Sequence, residues 1–199
     1  MAKVVDYYFT PVSPYAYLGH DRFCAIAAKH GATVNPMPMD IGKIFPVSGG
    51  LPLGKRAPQR QAYRLVELKR WPELLGMPFS VQPKFGASGP DLSSRWIVAA
   101  LDDSAKAALD LAGAVMRGRW AEERDIADPA TLAQFAKSTG LDAERLAARA
   151  ETPEVAARYE GFTQKAIEAQ VFGAPWFVVD GEPFWGQDRL DFLDRKLAK

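Results

Sequence analysis

The stretch Lys3-Val4-Val5-Asp6-Tyr7-Tyr8-Phe9-Thr10-Pro11-Val12-Ser13-Pro14-Tyr15-Ala16 decides how this chain begins to fold. Residues 3–9 are rich in Val, Tyr and Phe, which suit a pleated, buried surface, so a short central strand is expected, stopped at Thr10-Pro11. Ser13 then stands at a helix N-cap, with Pro14 at the first helical position, where an N–H would be unsatisfied anyway. The helix should run to about Lys29 and end at Gly31. Residues 33–40 read as a second strand, and Pro36 and Pro38 put it at a sheet edge because neither can donate to a ladder. The opening is therefore β-α-β.

From Ile41 to about Val171 the pattern turns helical. Residues 42–58, rich in Gly, Pro and Lys, are expected as a loop able to cover a site. Residues 60–71 have helical spacing, and Pro72 should end or kink that helix. Apolar-periodic segments follow at 93–101 and 104–120, and Asp128-Pro129, Asp142 and Thr152-Pro153 open three more helices. Residues 176–180, a turn at Gly181 and residues 183–185 make a β-hairpin, and a closing helix is expected over 188–197. A β-α-β opening and a β-β-α ending are the halves of a thioredoxin-like fold of the α/β class. The expected organisation is a thioredoxin-like domain at 1–40 and 172–199, with an all-helical domain inserted at 41–171.

Composition excludes several functions. The chain has 199 residues and 48% hydrophobic content, enough for a real core. Lys plus Arg number 25 and Asp plus Glu 24, without a basic block, which argues against nucleic acid as a partner. The start meets Asp6 after two apolar residues, unlike a secretory leader, and no apolar run approaches a membrane span. A single cysteine, Cys24, rules out an internal disulfide and fits a reducing compartment, so a cytoplasmic location is expected.

Ser13 and Ala16 occupy the two positions where thioredoxin-type proteins carry Cys-x-x-Cys, so any thiolate must arrive from outside, as on glutathione. A helix N-terminus stabilises thiolates, and a serine hydroxyl there can cap the helix or donate a hydrogen bond to an incoming sulfur. A serine-nucleophile role lacks a base, since neither His20 nor His30 lies in a suitable motif. Pro175, after Gly173-Ala174, reads as a strand-entry proline or as a cis proline that exposes the Ala174 backbone to an extended thiol peptide. Asp188 reads as a helix cap, or as a partner for the γ-glutamyl ammonium with Gln187 and free N–H groups on the carboxylate. Lys55, Arg56, Arg60 and Arg64 form a solvated basic face or, with the loop closed, grip a carboxylate. Cys24 reads as a packing thiol, and two histidines without ligand spacing argue against a metal site.

These residues resemble the 2-hydroxychromene-2-carboxylate isomerase family, whose fold is that of DsbA-type oxidoreductases and kappa-class glutathione transferases. The resemblance is carried by Asp6-Tyr7-Tyr8-Phe9 with Ser13-Pro14-Tyr15-Ala16-Tyr17-Leu18, by Tyr63 with Leu68-Lys69-Arg70-Trp71 and Gly76-Met77-Pro78, and by Val171-Phe172-Gly173-Ala174-Pro175 with Phe184-Trp185-Gly186-Gln187-Asp188-Arg189-Leu190. It implies glutathione as cofactor, Ser13 as the catalytic hydroxyl near its sulfur, and glutathione contacts at Ala174 and Asp188. The expected activity is a glutathione-dependent cis–trans isomerisation of a conjugated, aromatic-derived carboxylate. The expected cofactor-binding set is Ser13, Lys55, Ala174, Pro175, Gln187 and Asp188, in a homodimer. A kappa-like glutathione transferase or peroxidase, which consumes glutathione, and a non-catalytic thiol-peptide binder are the rival readings.

Overall fold

The computed structural model describes residues 3–86 and 90–199. Among them, strands β1 (Val4–Phe9), β2 (Thr33–Pro38), β3 (Trp176–Val179) and β4 (Glu182–Trp185) form one sheet in the order β2-β1-β3-β4. β1 is central, parallel to β2 and antiparallel to β3, which continues into β4 by a hairpin. The hairpin turn is Asp180-Gly181, both at positive φ (52° and 78°), as a tight two-residue connection requires. β2 lies at the edge, so Pro36 and Pro38 are tolerated there as expected.

Alternation along β1 divides the core. Val5, Tyr7 and Phe9 pack with Phe177 and Val179 beneath helix α1 (Pro14–Lys29), whereas Tyr8 joins Met37 and Trp176 in a second cluster on the other face. α1 ends as read: Gly31 takes φ 59°, and Ala32 N–H reaches back to the Ala27 carbonyl at 2.9 Å.

The helices α4 (Pro90–Ala100), α5 (Ala105–Trp120), α6 (Pro129–Ser138), α7 (Ala143–Ala150) and α8 (Pro153–Glu168) lie between β2 and β3 in the chain. Ser104, Asp128, Asp142 and Thr152 each accept a backbone N–H at the start of the helix they open, which is why those starts were readable. α4, α5 and α8 all pack against β2.

Three expectations are corrected. The loop over 42–58 contains helix α2 (Ile41–Ser48), because the Asp40 carboxylate caps it through Gly42 N–H at 2.8 Å and Ile44 is buried beneath it; Gly49, at φ 74°, ends it. A 3-10 turn follows at Leu53–Lys55. Helix α3 (Pro58–Leu75) does not end at Pro72, the first of the two outcomes expected there, but continues to a left-handed Gly76. Burial of Leu68 and Pro72 against the protein offsets the lost helical bond. Finally, helix α9 (Leu190–Leu197) starts after a 3-10 turn at Gln187–Arg189, and Asp188 makes no side-chain cap in it.

Candidate functional site

Ser13 sits at the mouth of α1 with an extended backbone (φ −83°, ψ 120°), placed there by Pro14 at the first helical position. Its hydroxyl accepts the Ala16 N–H at 3.1 Å and donates to the Ala174 carbonyl at 3.1 Å. The Ala174-Pro175 peptide is cis, and the Pro175 carbonyl accepts from Gly186 N–H at 2.9 Å. The Ala174 N–H has no partner among the described residues. Pro175 itself is buried behind this edge.

The same bonds bring the β4 end close. Gly186 has φ 101°, a conformation that suits glycine, and a Cβ there would meet the Asp188 carboxylate oxygen at 2.4 Å. Asp188 is half-exposed and pairs with Arg189 at 3.1 Å. Ser13, Ala174 and Asp188 therefore line one cleft of about 1500 Å³.

Two members of the sequence-derived set are placed differently. Lys55 is exposed and does not line the cleft, because the 3-10 turn at Leu53–Lys55 points the next residue, Arg56, into the lining instead. Gln187 lines it but is 2% exposed, and its side-chain oxygen accepts from Arg22 Nη1 at 2.8 Å, which anchors the turn to α1. Its oxygen is thus held by the protein.

α3 and the segment before it contribute Arg56, Arg60, Arg64 and Trp71 to the lining, and Val81, Phe85, Arg119 and Trp120 line it too. Tyr15, which the quoted opening motif contains but to which no role was given, also lines the cleft. Burial pushes its phenol above the usual range, the Arg64 guanidinium works against that, and Glu67, Arg56 and Asp188 act more weakly. Burial likewise lowers Arg64 and Arg56. The last four of the lining residues had no local signal: residues 81–86 and Arg119-Trp120 meet only because Ser80 N–H bonds the Trp120 carbonyl and Arg119 bonds the Gly86 carbonyl at 2.7 Å.

Cys24 lies elsewhere, in a separate cavity of about 580 Å³ with His20 and Leu109. The His20 Nε2 lies 3.0 Å from the Leu109 carbonyl, which only accepts, so Nε2 carries the proton and Tyr7 O–H donates to Nδ1 at 3.3 Å. Burial pushes the Cys24 thiol up to about 12, so it is a packed thiol rather than a nucleophile.

The arrangement can hold an anionic sulfur at a helix N-terminus beside a hydroxyl, with a carboxylate and several guanidiniums also lining the cleft. Comparison with known proteins agrees with this reading of the fold. The chain is 29% identical over 198 residues to a 2-hydroxychromene-2-carboxylate isomerase from Sphingobium xenophagum, covering 99% of both. It is 25% identical over 210 residues to glutathione S-transferase kappa 1 from Homo sapiens, covering 100% of this chain and 92% of that protein. The solved structure of a selenomethionine 2-hydroxychromene-2-carboxylate isomerase superposes with a TM-score of 0.82 at 26% identity, over 98% of this chain and 94% of the other. Residues 4–198 match the DSBA-like thioredoxin domain, and with the sheet order and helix pattern above the chain belongs to that family.

Proposed function

We propose that this chain is a glutathione-dependent cis–trans isomerase of the 2-hydroxychromene-2-carboxylate type, acting on a conjugated, aromatic-derived carboxylate. The observation that carries the reading is the Ser13 hydroxyl, poised at a helix N-terminus against the Ala174 carbonyl with no cysteine in the cleft. Similarity to a named isomerase of that type along the whole chain supports the activity, and similarity to a kappa transferase supports the cofactor.

The residues present fit glutathione. Ala174 offers a backbone N–H without a partner among the described residues, Asp188 a carboxylate free of any capping duty, and Ser13 a rotatable O–H, all in one cleft. Bound there, glutathione supplies a thiolate whose reversible addition to a conjugated double bond leaves a single bond free to rotate. Ser13 keeps the sulfur ionised by turning its proton from the Ala174 carbonyl toward it while still accepting from Ala16 N–H. Asp188 holds the ammonium of the γ-glutamyl end, and the Ala174 backbone orients the cysteinyl unit as an added strand would. The aromatic walls at Trp71 and Trp120 exclude water from an apolar substrate. The cycle needs no external oxidant or reductant.

The test has two readouts. Reduced glutathione should raise the melting temperature with dose, by about 2.7 kcal/mol of stability at one hundred times its dissociation constant. Total glutathione should then be unchanged after many turnovers of 2-hydroxychromene-2-carboxylate. No binding at millimolar glutathione removes the reading, and stoichiometric consumption replaces it with the transferase one, which the kappa similarity favours.

A further inference from the structure

We propose that Arg64, assisted by Arg56 and the Tyr15 hydroxyl, is a carboxylate subsite for the second, non-peptide substrate, and so a specificity-determining residue. The inference rests on the reading of the cleft given above. Arg60, Arg64, Glu67 and Trp71 are spaced four, three and four residues apart on α3, hence on one face, and all four line the cleft.

Neither local carboxylate pairs with Arg64. Glu67 receives Arg70 on one oxygen and the Trp71 indole N–H on the other, each at 3.0 Å, and Asp188 is paired with Arg189. Most of the other cleft arginines are occupied too. Arg56 is anchored through Nε, which donates to the Leu51 carbonyl at 2.8 Å, and lies over the Phe45 ring, so only its Nη groups can assist, and Arg119 is bonded to Gly86. Arg60 is exposed, so water serves it. Arg64 is half-buried with no hydrogen bond and no ion pair among the described residues.

A guanidinium drawn out of water without a partner is costly, and a carboxylate offsets that cost through two parallel hydrogen bonds. Tyr15 adds a third donor, since its raised phenol stays protonated at neutral pH. The body attached to that carboxylate is apolar and flat: Trp71 lies two turns along the same face, and Trp120, stacked on Phe79 at 5.3 Å, also lines the cleft. A glycyl residue would use none of this aromatic wall. The cleft, at about 1500 Å³, also exceeds the roughly 300–1,000 Å³ of a pocket for one small ligand, leaving space beside a tripeptide.

The test measures binding by the full-length protein. Benzylidenepyruvate and its methyl ester are titrated by tryptophan fluorescence with and without glutathione, and glutathione alone is titrated by calorimetry. The parent protein should bind the acid more tightly than the ester. Arg64→Met, which keeps the apolar stem, should weaken the acid about 10- to 100-fold while leaving the ester and glutathione within about twofold. Arg64→Lys should recover part of the acid affinity. Equal loss for acid and ester, loss confined to glutathione, or no acid preference in the parent would each overturn the subsite. Failure of glutathione to bind the parent would overturn the proposed function instead, because the acid titration without glutathione still reports on Arg64.

Discussion

The Ser13 hydroxyl bridges Ala16 and Ala174, accepting an N–H from one at 3.1 Å and donating to the carbonyl of the other at 3.1 Å. One side chain thus caps α1 and ties it to the segment that leads into β3. Ser13→Ala removes both bonds and should cost about 1–2 kcal/mol in urea unfolding. With glutathione still held by Ala174 and Asp188, the pKa of its sulfur should rise, so turnover at pH 7 falls and part of the loss returns at higher pH. A folded variant with the parent's thiolate absorbance near 240 nm and an unaltered pH–rate profile would reduce Ser13 to a cap.

Asp188 caps no helix, so its charge can be tested without touching the fold. Asp188→Asn should weaken glutathione binding by about 1–2 kcal/mol, the value for a hydrogen bond to a charged group reduced by solvent screening at a half-exposed position. Thermal stability without ligand should stay within about 0.5 kcal/mol of the parent. Equal glutathione affinity in calorimetry would free Asp188 from the ammonium.

Gly19 faces the Gln187 turn across α1, and a Cβ built there would lie 2.8 Å from Gln187 Cβ. Because Gln187 is itself buried and anchored by Arg22, the turn has little room to give. Gly19→Ala should therefore destabilise the protein by about 1–3 kcal/mol. It should also weaken glutathione binding by displacing Asp188, although Gly19 touches no ligand. Parent-like values in both measurements would mean that the turn adapts freely.

Burial lowers the pKa of His20, with Asp21, the Leu109 carbonyl bond and Asp110 acting the other way. The unfolded chain therefore takes up this proton first, near pH 6.5. Stability from the neutral imidazole is fully present above that value and is lost as pH falls through 6.5 toward the depressed folded pKa. Between pH 7.5 and 5.5 the urea midpoint should drop in the parent and drop less in His20→Gln, which can still bond Leu109. Parallel slopes for the two proteins would assign the pH dependence to other groups.

Residue order alone was enough for the thioredoxin-like halves, the helix starts at Ser13, Asp128, Asp142 and Thr152, and the edge position of β2, because each depends on local backbone chemistry. The bond between Ser13 and Ala174 was not among the expectations, because it joins residues far apart in the chain whose approach depends on how β3 pairs with β1. Helix α2 and the passage of α3 through Pro72 were not legible, because burial of Ile44, Leu68 and Pro72 against distant chain outweighs local glycine and proline preferences. Only the tertiary structure chose among the cations, turning Lys55 outward and lining the cleft with Arg56, Arg60 and Arg64. Only it bound the Gln187 oxygen to Arg22 and left Arg64 unpaired among the described residues. Those outcomes depend on which side chains from remote segments reach the same few ångströms, and local sequence holds no term for that.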